Sequence, residues 1–167
     1  LTTIDVMDIF DSQEMLNDIT DLLEELQHVK WNTKDDYWYT SLLPEFKDSI
    51  SRLCVDSHNY FEFIDILRPN TFIHGDFTCD NFALDEKGHL IIYDFQHGCL
   101  GPKGWDKAYL ASTMFYDKCP LILNKEEMYT AEIIAAIRLG RAIRKEIMAD
   151  IELRTNLLKT WKERNIW

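Results

Sequence analysis

The chain has 167 residues, 46% hydrophobic and 13% aromatic, with 18 Lys plus Arg against 29 Asp plus Glu for a formal net charge of −11. That length is one domain's worth of core, and the composition excludes a disordered chain, which combines high charge with low hydrophobicity. No apolar run reaches a membrane span and no basic-then-apolar start marks a signal peptide. The acidity argues against a nucleic-acid surface, which neutralises phosphates with Lys and Arg.

In chain order, Asp11 or Ser12 can cap a helix in which Met15, Leu16, Ile19, Leu22, Leu23, Leu26 and Val29 recur at three-to-four spacing. Trp31 to Tyr39 reads as a loop or short helix. Its Trp31, Tyr37, Trp38 and Tyr39 suit packing on a helical core better than a cation–π cage for a quaternary ammonium. Pro44 can open a second helix as its first residue, and a third runs from Ser57 to Leu67, ending before Arg68-Pro69. The texture then turns β-prone at Thr71–His74. Phe82–Asp85 and Leu90–Tyr93 read as a hairpin, with Gly88 at the left-handed position of its turn. Gly98, Gly101, Pro102 and Gly104 mark an irregular loop. Helices resume from Trp105 to Tyr116 and again from Lys125, where Tyr129, Ile133, Ala136, Ile137, Gly140, Ile143 and Ile147 share a face. The fold class is α+β, mostly helical, with a β hairpin where the polar residues concentrate.

Charge is uneven. Residues 1–137 hold 10 basic and 25 acidic groups, and residues 138–167 hold 8 and 4. Arg138, Arg141, Arg144 and Lys145 are spaced to share one helix face, which can dock phosphate or a partner but reads first as a solvated face. Glu126, Glu127 and Glu132 with Asp117 can bind ammonium groups, although an acidic helix start follows equally from the helix dipole. Cys54, Cys79, Cys99 and Cys119 form no CxxC pair, so a zinc site, even a scattered one using His74 or His97, is disfavoured. Free thiols in a reducing, cytoplasmic setting fit better.

The chemistry concentrates in His74-Gly75-Asp76-Phe77-Thr78-Cys79-Asp80-Asn81, followed thirteen residues on by Asp94-Phe95. Asp76, Asn81 and Asp94 stand at the ends of β-prone segments, where loops can aim them at one site. A carboxylate can orient an attacking hydroxyl and take its proton, while an Asn oxygen and a second carboxylate are the hard ligands Mg²⁺ requires.

These segments resemble the catalytic and metal-binding segments of the aminoglycoside phosphotransferase and choline kinase superfamily, small-molecule kinases of protein-kinase-like fold. The match rests on His74-Gly75-Asp76 with Asn81 five residues beyond Asp76, then Ile92-Tyr93-Asp94-Phe95, then Asp106-Lys107-Ala108. The resemblance implies Asp76 as catalytic base, Asn81 and Asp94 as Mg²⁺ ligands, and His74 and Asp106 as structural supports of the loop. Gln96 stands where protein kinases have Gly, and no Ala-Pro-Glu follows, which disfavours an ordinary protein kinase.

Nothing before His74 reads as the family's five-stranded nucleotide lobe, and the chain begins at Leu1 rather than Met. Residues 1–167 are therefore expected to be a single C-terminal, acceptor-binding lobe of a longer protein, with the strong motifs confined to about residues 71–110. The implied activity is Mg²⁺-dependent transfer from ATP or GTP to a hydroxyl of a small, cationic acceptor such as an aminoglycoside, a choline-like compound or a sugar. Its partners would be that acceptor, the nucleotide and the missing N-terminal lobe, with neither nucleic acid nor membrane. The isolated lobe is expected to fold without catalysing. The alternative is a catalytically silent kinase-like module that binds a ligand or protein through its acidic face.

Overall fold

A computed structural model describes residues 2–3, 11–31, 35–53 and 58–164. Ser12 caps the first helix, α1 (Gln13–His28), its hydroxyl accepting from the Met15 amide at 3.3 Å. The aromatic stretch runs as a π-helical turn, Trp38–Leu42, into α2 (Leu43–Ser51), so Pro44 lies in the first turn of a helix that the preceding residues have already begun rather than opening it. Helix α3 (His58–Ile66) precedes strand β2 (Pro69–Ile73).

The hairpin is present as β3 (Phe82–Leu84) and β4 (Leu90–Ile92), with Gly88 at φ 84°. A short strand β1 (Thr2–Thr3) pairs antiparallel on its far side. The segment read as an irregular loop is instead strand β5 (Cys99–Pro102), antiparallel to β2 in a separate two-stranded sheet. Its Gly and Pro content hides the strand. At Gly101 the missing Cβ is what permits pairing, since one would lie 2.2 Å from the Ile73 side chain.

Helix α4 (Trp105–Ala111) is shorter than its pattern suggested. The hydroxyls of Ser112 and Thr113 bond back to the Tyr109 and Leu110 carbonyls at 2.7 Å, competing with further helical bonds. Helix α5 (Lys125–Lys145) begins with a capping box between Asn124 and Glu127, and Glu146, left-handed at φ 56°, ends it before α6 (Met148–Arg164). Ile147 therefore falls outside the helix whose face it was expected to share.

The described residues are thus mostly helical with small antiparallel sheets, an α+β arrangement. Trp38, Phe46 and Trp105 cluster in the larger core, with the Trp105 ring stacked on Phe46 at 5.2 Å between centroids and edge-on to Trp38 at 4.8 Å. Trp38 is only 1% exposed, so it packs rather than cages a cation, and Trp31 lies apart from it against Phe72. A second core sets Ile19 and Leu26 of α1 against Phe72, Phe77, Phe82 and Leu90.

Helices α2 and α5 touch backbone to backbone at Gly140, where a Cβ would sit 1.9 Å from the Ser49 carbonyl oxygen. Gly140→Ala should therefore force the helices apart and cost about 1–3 kcal/mol or more, as overpacking does. Urea unfolding of wild type and variant measures that loss, and equal stability would show that the contact yields freely.

Candidate active site

Strand β2 delivers His74, Gly75 and Asp76 into a loop whose path only Gly permits. Gly75 has φ 82°, and a Cβ there would meet the His97 carbonyl oxygen at 2.5 Å. The loop is held from beneath by α4. The buried Asp106 carboxylate accepts from the His74 amide at 2.7 Å and the Gly75 amide at 3.0 Å. Burial pushes the Asp106 carboxyl up to about 7 against the pull of those two donors, and the Asp76 carboxylate adds to the rise.

Between its ordinary value of 3.8 and about 7 the folded chain holds a proton on Asp106 that the unfolded chain has released, so stability falls as pH rises through that window. The stability gap between wild type and Asp106→Asn, measured by urea unfolding, should therefore shift in favour of the variant between pH 4 and pH 8. An unchanged gap would contradict the assignment.

His74 is fully buried, and both ring nitrogens are used. Nδ1 accepts from the Asp76 amide at 3.3 Å, and Nε2 lies 2.8 Å from the Tyr93 carbonyl oxygen, to which it donates in this tautomer. Burial lowers its pKa, which suits a neutral ring bridging two segments. Asn81 makes the second bridge. Its Nδ2 donates to the Asp76 backbone carbonyl at 2.8 Å and to Asp76 Oδ2 at 3.3 Å, while the Asn81 backbone carbonyl accepts from the Tyr93 amide at 3.0 Å.

Asp94 follows directly, exposed and left-handed at φ 61°, opening the 3₁₀ turn Phe95–His97. Asp tolerates that region better than most residues, but it is still a strained position of the kind that clusters at functional sites. Its carboxylate and that of Asp76 both act electrostatically on the His74 ring. Asp76, Asn81 and Tyr93-Asp94 are thus drawn together around His74.

Three further residues complete the surroundings of Asp76, none carried by a motif. Tyr109, buried on α4, has its pKa raised by burial, with the Asp76 carboxylate adding to the rise, and its hydroxyl accepts from Arg141 Nη1 at 3.3 Å. Arg141 Nε also donates to Glu45 of α2 at 3.0 Å. The basic stripe of α5 is therefore not simply a solvated face. Arg141, Arg144 and Lys145 line a cavity of about 200 Å³ with Leu42, Glu45, Gly75, Asp76 and His97. Larger cavities of about 510 and 790 Å³ open beside α1 and beside Phe63 and Tyr129, but neither is lined by Asp76, Asn81 or Asp94.

The other candidates are scattered. Glu127 serves the capping box and pairs with Lys107 at 3.0 Å, and Glu132 is buried against the Tyr60 hydroxyl. Among the described residues no group of three or more His, Cys, Asp or Glu side chains can hold a metal. Cys79 and Cys99 are buried thiols, and Cys54 lies outside the described residues. Mg²⁺ asks for less protein and harder donors. Asn81 has its amide nitrogen turned to Asp76, leaving Oδ1 without a hydrogen-bond partner among the described residues, and Asp94 is exposed with only Gln96 Nε2 at 3.4 Å. That donor set fits Mg²⁺ shared with phosphate oxygens and water.

No helix among the described residues is long and apolar enough to cross a membrane. No curated protein and no solved structure matches the chain. The phosphotransferase enzyme family model matches residues 5–138, most of the chain and well beyond the motif segment. With its HGD, Asn81 and Asp94-Phe95 motifs inside that match, the chain belongs to the phosphotransferase enzyme family, the aminoglycoside phosphotransferase and choline kinase group.

Proposed function

We propose that this chain supplies the catalytic base and the Mg²⁺ ligands for transfer of the γ-phosphoryl group of ATP or GTP to a hydroxyl of a small molecule. The observation that carries the reading is the joining of Asp76 to Asn81 by the Asn81 amide and to Tyr93-Asp94 through the His74 ring, at the wall of a cavity. Asn81 holds one carboxylate oxygen, so the Asp76 carboxylate is oriented before the acceptor arrives.

Asp76 positions the acceptor hydroxyl and takes its proton as the oxygen bonds to the γ-phosphorus. The bond from that phosphorus to the β–γ bridging oxygen breaks, and the nucleoside diphosphate leaves with its electron pair. Asn81 Oδ1 and the Asp94 carboxylate would hold Mg²⁺, which neutralises charge on the donor phosphates when bound. His74 and Asp106 position the loop and touch neither substrate.

In this reading residues 1–167 form the acceptor-binding lobe of a protein-kinase-like enzyme and work with a nucleotide-binding lobe that contributes a Lys to the donor phosphates. The test is transfer of labelled γ-phosphate by the intact protein to a panel of hydroxylated small molecules. Acceptor-dependent phosphoester formation supports the proposal, and its absence across the panel with both nucleotides would count against it.

A further inference from the structure

The basic residues beside Asp76 are unexpected in a chain of net charge −11. Three cations, Arg141, Arg144 and Lys145, meet two carboxylates, Glu45 and Asp76, in the cavity lining. Arg141 and Arg144 both turn to the same Glu45 oxygen, at 3.0 Å and 4.0 Å, so a single carboxylate faces two guanidinium groups. Lys145 has no ion-pair or hydrogen-bond partner among the described residues. Behind them Arg138 lies over the Tyr109 ring with its centre 5.7 Å away, and its Nη1 is buried without a hydrogen-bond partner among the described residues. A helix face that only tied α5 to α2 would need one of these charges. The surplus is positive and opens beside the group that would take the acceptor's proton.

Resting on the phosphoryl-transfer reading of this site, we infer that the acceptor is a small hydroxylated anion whose carboxylate or phosphate seats on Arg141, Arg144 and Lys145 while its hydroxyl faces Asp76. The fork of Arg141 is already aimed by Glu45 and Tyr109, which suits it to planar or tetrahedral oxyanions. Because Glu45 can pair with only part of the charge around it, an incoming anion gains Arg144 and Lys145 without stranding Glu45. A cavity of about 200 Å³ is below the size typical of drug-sized ligands and suits a molecule of a few carbons. The inference replaces the cationic acceptor expected from the family resemblance with one of opposite charge.

The test is binding, which does not depend on turnover. Glycerate, glycerol and choline serve as probes, matched in size and differing in charge, and are titrated calorimetrically into wild type, Arg144→Gln/Lys145→Gln and Lys145→Glu. Both altered side chains are exposed, and unchanged melting temperatures would confirm that the variants fold. Glycerate should bind wild type at least roughly tenfold more tightly than glycerol or choline, weaken with added salt, and lose roughly tenfold or more in both variants. Asp76→Asn should keep glycerate binding or tighten it, so a catalytic failure at Asp76 would leave this result standing.

Glycerol 3-phosphate in place of glycerate separates a phosphate-selective from a carboxylate-selective seat. Preference for choline, equal binding of the three probes, or no binding of either anion would overturn the inference. A loss confined to ATP binding in the variants would overturn it too, by assigning the basic face to the donor.

Discussion

Asp76→Asn in the intact protein should lower kcat for phosphate transfer by about 10²–10⁴-fold, the range typical of a lost general base. Nucleotide affinity should stay nearly constant, because the side chain faces the acceptor cavity rather than the Asn81 Oδ1 and Asp94 oxygens that would meet the metal. The variant should also fold. An Asn side chain still offers an oxygen to the Asn81 amide, so that donor is not abandoned. The check is a split between calorimetric nucleotide binding and steady-state kcat. Parallel losses in both would mean that Asp76 acts through the metal instead.

Asp94→Asn should do the opposite to binding. Removing the exposed carboxylate at φ 61° takes away the stronger of the two proposed Mg²⁺ ligands, so Mg²⁺-dependent nucleotide binding and kcat should fall together, each by about 10²-fold or more. Stability should barely change. Asn adopts the left-handed region as readily as Asp, and the side chain's hydrogen bond from Gln96, at 3.4 Å, lies at the surface. Thermal unfolding alongside nucleotide titrations with and without Mg²⁺ checks both parts. A variant that binds Mg²⁺-nucleotide as wild type does would remove Asp94 from the metal site.

What the sequence reveals of this site is its contiguous part. His74, Asp76, Asn81 and Asp94 lie within about twenty residues of one another, so a hairpin and two tight loops can bring them together, and the spacing of the motif shows it. Asp106 is also visible, through its position ahead of Lys107-Ala108. The other wall of the cavity is not local. Glu45 and Arg141 are 96 residues apart, and Arg141 and Tyr109 are 32 apart. Their meeting depends on how α2, α4 and α5 pack, which helical periodicity does not encode.

The same reason separates the stripe on α5 from its expected solvated role, because a charge pattern shows which residues share a face but not what that face meets. Strand β5 was hidden differently. Its Gly101 lowers strand propensity, yet the Ile73 side chain occupies the place of the missing Cβ. The aromatic stretch around Trp38 was legible as core because large rings need burial more often than they find a cationic ligand.

The most direct measurement of the account is acceptor phosphorylation followed over time with γ-labelled nucleotide, wild type and Asp76→Asn side by side at saturating Mg²⁺. The account predicts label moving to an acceptor hydroxyl with wild type, and at most about one hundredth of that rate with the variant at equal nucleotide occupancy. An Asp76→Asn protein that phosphorylates the acceptor as fast as wild type would contradict it.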